Sequence, residues 1–183
     1  MSFKLSLFSD DGKLMPLAND DEMFILERPG VSFTCTTASG SKFKANGRIY
    51  ITTQRLVFCA DKGTTQHDTF FEAFEIPLDN VRRDKFNQPI FGACNISGDV
   101  FPATDQTNYD DVTPIHWKVS FNNGGTGTFL TVFLKLMEQK KKGDIDASFV
   151  AKQQQKAFVD PNDPSVIYVT QPVRPPRKPM ASC

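Results

Sequence analysis

The chain changes hydrophobic period once, and the place of that change constrains its fold more than any other feature. Ile115, Trp117, Val119 and Phe121 alternate with His116, Lys118 and Ser120, the two-residue period of a strand with one face buried. Asn122-Asn123-Gly124-Gly125 follows, a run that tolerates positive φ and reads as a hairpin turn. Phe129, Val132, Phe133 and Leu136 then recur at helical spacing, with Leu130, Leu134 and Met137 widening the stripe. Lys140-Lys141-Lys142 suit the negative end of that helix, and Gly143 suits its C-cap.

Upstream of this switch the chain reads almost entirely as strand. Residues 1–28 are mixed, with Asn19-Asp20-Asp21-Glu22 as a turn or helix start. Val31, Phe33 and Cys35 alternate with polar neighbours, and the stretch ASGSKFKANG turns the chain. Ile49 and Ile51 share a strand face, Thr52-Thr53-Gln54 makes a break, and Arg55–Cys59 is a second β-rich run. Residues 60–69 read as a loop. Phe70–Ile76 form a strand that Pro77 ends or pushes to a sheet edge. Ile90–Val100 read as another strand, interrupted by Gly92 and Gly98, and the polar stretch 101–114 reads as an exposed loop. About seven antiparallel strands followed by one amphipathic helix define an α+β, mainly β architecture: a pleckstrin-homology-like barrel capped by its C-terminal helix. Ile145, Phe149, Val150, Ala157 and Phe158 predict a second short helix within 144–159, capped by Asp144 or Asp146. The domain therefore occupies 1–143, and a proline-rich basic tail occupies 160–183.

Composition sets the limits of function. With 183 residues, 39% of them apolar and 17 of them Phe, the chain can build one domain with a substantial core. Its 21 basic and 21 acidic residues cancel, which removes the footprint of a nucleic-acid binder. No stretch approaches the roughly 18 apolar residues that span a bilayer. The opening MSFKLSLFSDDGK lacks the pattern of a secretory leader, Ser2 excludes N-myristoylation, and Cys183 is placed wrongly for prenylation. The cysteines at 35, 59, 94 and 183 therefore read as reduced thiols. These features predict an intracellular protein, cytoplasmic or nuclear, with peripheral membrane attachment left open.

Two phrases carry a more specific resemblance. Gly47-x-Ile49-Tyr50-Ile51-Thr52-x-x-Arg55-Leu56-Val57-Phe58 resembles the hairpin of GRAM domains, which share the pleckstrin-homology-like fold. Pro77, the phrase Gln88-Pro89-Ile90-Phe91-Gly92-Ala93, and Ile96-x-Gly98-x-Val100 resemble the WW domain-binding protein 2 family within that group. The resemblance covers roughly 20–143, and it implies a scaffold in which Gly47, Arg55, Pro77, Gln88, Pro89, Phe91, Gly92 and Gly98 are structural signatures. It also implies a transcriptional coactivator role that works partly through Pro-Pro-x-Tyr motifs. This chain departs there: Pro175-Pro176 is followed by Arg177-Lys178, and Tyr168 is preceded by Ser165-Val166-Ile167.

Nothing in the sequence carries catalysis. The two histidines, His67 and His116, lie outside nucleophile motifs, and alternation with Trp117 turns His116 outward. Gly124-Gly125-Thr126-Gly127 lacks the ending of a phosphate loop, and Asp110-Asp111 and Asp144-x-Asp146 lack calcium-loop spacing. The expectation is a non-enzymatic binding or adaptor module with no cofactor, no metal site and no direct nucleic-acid partner. Two kinds of partner remain. An anionic phospholipid such as a phosphoinositide could be held by Lys42, Lys44 and Arg48, in and after the first interstrand loop, or by Arg82, Arg83 and Lys85 in the break between two strands. A protein with an SH3 domain could take Pro172-x-x-Pro175-x-Arg177 in polyproline geometry.

Overall fold

One long strand, β3 (Phe24–Thr36), serves two partners and so sets the curvature of the sheet. It pairs along its length with β4 (Lys42–Thr52), and its second half also pairs with β9 (Ile115–Phe121). From β4 the sheet continues through β5 (Arg55–Ala60) to β6 (Ala73–Pro77); from β9 it continues through β8 (Asn95–Val100) to β7 (Val81–Asn87). Seven antiparallel strands in the order β6-β5-β4-β3-β9-β8-β7 thus curl into a half-barrel, with a 3-10 turn at Leu78–Asn80 joining its two edges. Helices α1 (Thr126–Lys142) and α2 (Ala147–Gln155) follow the last strand. This is the α+β, mainly β arrangement that the period pattern predicts. The computed structural model describes residues 7–10, 13–66, 71–101, 113–143 and 145–155.

The concave face holds the main core. Phe33 lies at its centre, its ring stacked on Phe58 at 4.6 Å between centroids and near Phe74 at 5.3 Å. Helix α1 adds Phe129, Val132, Phe133, Leu136 and Met137 to this core, and α2 adds Phe149 and Val150. Leu134 departs from the expected stripe: it is half exposed, because the buried arc of α1 ends at Leu130 and Met137. Gly143 caps α1 at φ 78°, as its place after three lysines predicts. Asp146 caps α2 by accepting the Ser148 amide at 2.8 Å.

The predicted hairpin at 47–58 is β4 and β5. Thr52 closes its turn: Oγ1 accepts the amides of Gln54 (3.1 Å) and Arg55 (2.9 Å) and donates to the Arg55 carbonyl (3.0 Å). Gly47 is required by approach rather than by φ, since a Cβ there would lie 2.0 Å from the Cys59 carbonyl oxygen. Pro77 ends the edge strand β6, where its missing donor costs no ladder bond.

Four expectations need correction. The Asn122–Gly125 turn has the positive φ predicted for it, at Gly124 and Gly125, but it leads from β9 into α1 and not into another strand. Buried Arg28 fixes that turn by donating from Nη2 to the carbonyls of Asn123 (3.2 Å) and Gly124 (2.6 Å). The stretch Val81–Asn87, read as a break, is strand β7. Conversely, Ile90 and Phe91, read as strand, lie in the loop before β8. Finally, β3 begins well before Val31; a register shift between Pro29 and Val31 hides its early period.

A second, smaller core lies on the outer face of the sheet. There Phe24, Tyr50, Val57, Cys59 and Ala73 are covered by a two-stranded hairpin, β1 (Leu7–Asp10) and β2 (Lys13–Pro16), through Leu7, Leu14, Met15 and the following Ala18. Tyr50 donates its hydroxyl to the Leu14 carbonyl at 3.4 Å, and burial pushes its pKa up. Burial likewise pushes the Cys35 and Cys59 thiols up to about 12, so both stay protonated at neutral pH. The hairpin covers only the β4–β5–β6 half of the outer face. No described element covers the other half, built from β9, β8, β7 and the second part of β3.

Candidate functional site: a cationic groove on the open outer face

Alternation along each strand decides what this open half displays. Ile115, Trp117 and Val119 of β9 face the core, which turns His116 and Lys118 outward; Ile96, Gly98 and Val100 do the same for Ser97 and Asp99 of β8. Cross-strand register then lines these side chains up. Thr34 opposes Lys118, Lys118 opposes Ser97, and Ser97 opposes Lys85. In the adjacent ladder Thr36 opposes His116, and His116 opposes Asp99. Directly opposed residues are about 5 Å apart, so each ladder is a continuous contact surface. Together they line a groove of about 360 Å³.

A β-bulge adds the remaining group. Arg82 pairs with Asp99 and Lys85 with Ser97, so β7 carries one residue more than β8 between those pairs. The bulge holds Arg83 at φ 53°, a left-handed conformation that costs a non-glycine residue about 1 kcal/mol. Its Nη1 then lies 3.3 Å from Asp99 Oδ2, while His116 Nδ1 contacts Asp99 Oδ1. Asp99 is buried and so already serves two cationic or donor partners, whereas the side chains of Arg83 and His116 remain 74% and 63% exposed. Lys85 and Lys118 have no ion-pair partner among the described residues. Guanidinium, ammonium, imidazole and three hydroxyls, from Thr34, Thr36 and Ser97, form the donor set that phosphate oxygens require.

Arg83 also borders a second depression of about 380 Å³ between β7 and the end of α1, which Arg82, Lys140 and Lys141 line. Lys140 pairs there with Asp79 at 2.8 Å, and Arg82 donates to the carbonyls of Asp79 (2.7 Å) and Val81 (2.8 Å). Arg83 thus lines both depressions, and in the second the basic groups stand beside Asp79 and Asp84. Among the described residues, no three His, Cys, Asp or Glu side chains assemble as metal ligands.

The structure places each of the two predicted basic clusters on a single strand. Arg82, Arg83 and Lys85 gather on β7. Lys42, Lys44 and Arg48 lie on the outer face of β4, which begins at Lys42, so they are strand residues and not a loop. Arg48 is half-buried and engaged, with Glu27 at 2.7 Å and Asp61 at 3.5 Å. Burial opposes its charge, but Glu27 and the other neighbours outweigh burial and raise its pKa. Sequence reasoning missed Lys118, His116 and Asp99, whose only signal was outward alternation. Of the signature residues, Gly47 and Gly98 permit close approaches; a Cβ on Gly98 would lie 3.0 Å from the Trp117 indole. Arg55 is buried against Glu22. Gln88, Pro89, Phe91 and Gly92 sit exposed in the β7–β8 loop. His67, the tail motif Pro172, Pro175 and Arg177, and the whole stretch 160–183 lie outside the described residues.

No protein-family model matches the chain. It is 34% identical over 113 residues to a UPF0664 stress-induced protein of Schizosaccharomyces pombe, a match covering 62% of this chain and 56% of that protein. The chain thus spans little more than half the length of that curated relative. A chain in a solved structure of the 8S snRNP assembly intermediate is similar over 63% of this chain and 82% of its own, at 9% identity and a TM-score of 0.43. No helix among the described residues is long and apolar enough to cross a membrane.

Proposed function

We propose that the protein is a non-enzymatic binding module that attaches to anionic, phosphate-bearing membrane surfaces through the groove on β7, β8 and β9. The observation that carries this reading is the bulge: a strained Arg83 is held over a polar floor beside Lys85 and Lys118, which have no ion-pair partner among the described residues. Strain at a surface arginine points to use of that arginine. Asp99, the acid buried in the groove's floor, orients Arg83 and His116 and leaves their outer edges to a ligand. Of the two expected headgroup sites, this reading takes the β7 cluster over Lys42, Lys44 and Arg48.

Co-sedimentation with vesicles tests it. Binding is expected to phosphatidylcholine vesicles containing phosphatidylserine or a phosphoinositide, not to phosphatidylcholine alone, and it should weaken as salt rises. Basic residues at an anionic surface contribute about 1 kcal/mol each, so the Arg83→Ala, Lys85→Ala, Lys118→Ala triple variant should bind about 100-fold more weakly. The Lys42→Ala, Lys44→Ala double variant should lose much less. Undiminished binding by the triple variant overturns the assignment.

A further inference from the structure

The loop between β7 and β8 presents two large apolar side chains to solvent: Ile90 is 94% exposed and Phe91 92%. We propose that this tip is a membrane wedge, entering the acyl boundary of an anionic bilayer while the groove holds the headgroups; the inference rests on the membrane reading above. Isolated surface leucines or isoleucines need no explanation, but adjacent Ile and Phe at almost full exposure do.

The tip is a built feature. At its neck Asn87 donates from Nδ2 to Asn95 Oδ1 (3.1 Å) and Ser97 Oγ (3.3 Å). On its far side the Phe121 amide donates to the Cys94 carbonyl at 2.9 Å, tying the loop to β9. Gly92 makes the reversal at φ 106°, a backbone that a side chain would strain. Both apolar groups are thereby fixed on a projecting turn.

Charge complementarity selects the occupant. Lys85 and bulged Arg83 stand on the strand that leads into the loop, and Lys118 stands two strands away on the same face. An aromatic and an aliphatic side chain beyond a cluster of cations match the layered chemistry of an anionic bilayer, apolar within and phosphate without.

A Phe91→Trp variant tests insertion directly. Native Trp117 is buried beneath the groove, so subtracting the emission of the unaltered protein with the same vesicles leaves the signal of the introduced indole. With phosphatidylcholine–phosphatidylserine vesicles we expect a blue-shifted emission, and quenching when the acyl chains are brominated. The Ile90→Ser, Phe91→Ser variant should keep its fold, since both positions are exposed, and should bind the same vesicles at least about tenfold more weakly. Vesicle binding without shift or quenching overturns the wedge and leaves the groove reading standing. No vesicle binding by the unaltered protein overturns both. A blue shift without vesicles that grows with protein concentration would mark the tip as a contact between copies, and also overturns the wedge.

Discussion

Replacing Arg55 by alanine should cost about 3–5 kcal/mol of folding stability, because it removes the cation that balances a buried carboxylate. The Arg55 guanidinium donates from Nε and Nη2 to Glu22 at 2.8 and 3.0 Å, and from Nη2 to the Leu17 carbonyl at 2.7 Å. Glu75 approaches from the neighbouring strand at 3.3 Å. The Glu22 side chain has no solvent exposure, and the Asn19 amide, which donates to its Oε2 at 2.7 Å, brings no compensating charge. Burial works against the charge on Arg55, yet hydrogen bonding and attraction to Glu22 outweigh it and raise the pKa. The pair also ties the segment after the outer hairpin to β5. Urea unfolding should show a lower midpoint with little change in slope. Glu22→Leu together with Arg55→Met should lose less than Arg55→Ala alone, since replacing both charges leaves neither unpaired. A midpoint unchanged in Arg55→Ala would contradict this account of the residue.

Phe33→Ala should cost a similar amount, about 3–5 kcal/mol, through a different mechanism. Phe33 has no solvent exposure, and the rings of Phe58, Phe74 and Phe71 surround it at 4.6, 5.3 and 6.1 Å. These neighbours belong to or flank two paired strands, β5 and β6, whose ladder holds them in place, so they cannot collapse together into the space left behind. The groove is on the opposite face of the sheet, formed in part by Thr34, the residue after Phe33. The variant should therefore unfold at lower denaturant while its folded fraction still binds vesicles. A loss below about 1 kcal/mol in urea unfolding would show that the aromatic cluster repacks.

How much was legible follows from how locally each element is specified. Strand β9 and helix α1 announce themselves because each buries one face and repeats with its own period. The hairpin at 47–58 is legible for the same reason, and Pro77 marks its edge position by chemistry. Strand β7 is not legible: among its residues only Val81 is buried, and an edge strand so exposed has no alternation to read. The opposite error occurs at Ile90 and Phe91, where apolar side chains suggest burial that the loop does not provide. For Asn122–Gly125 the residues specify positive φ, but they do not say whether a strand or a helix follows. The outer hairpin and the small core beneath it depend on contacts between residues far apart in the chain.

The site divides in the same way. Arg82, Arg83 and Lys85 form a cluster visible in the sequence, though assigned to a break. Their partners Asp99, His116 and Lys118 reach them only through register across three strands, and register is a property of the assembled sheet. Lys42, Lys44 and Arg48 look equally basic in one dimension; Glu27 and Asp61 engage Arg48 in three.

The central claim is that the groove on β7, β8 and β9 receives phosphate-bearing headgroups. Titrating isotope-labelled protein with a short-chain phosphoinositide, while following backbone amide resonances, tests it most directly. The account predicts that shifts concentrate at Thr34, Thr36, Arg83, Lys85, Ser97, His116 and Lys118. Shifts centred on Lys42, Lys44 and Arg48, or none at all, would contradict it.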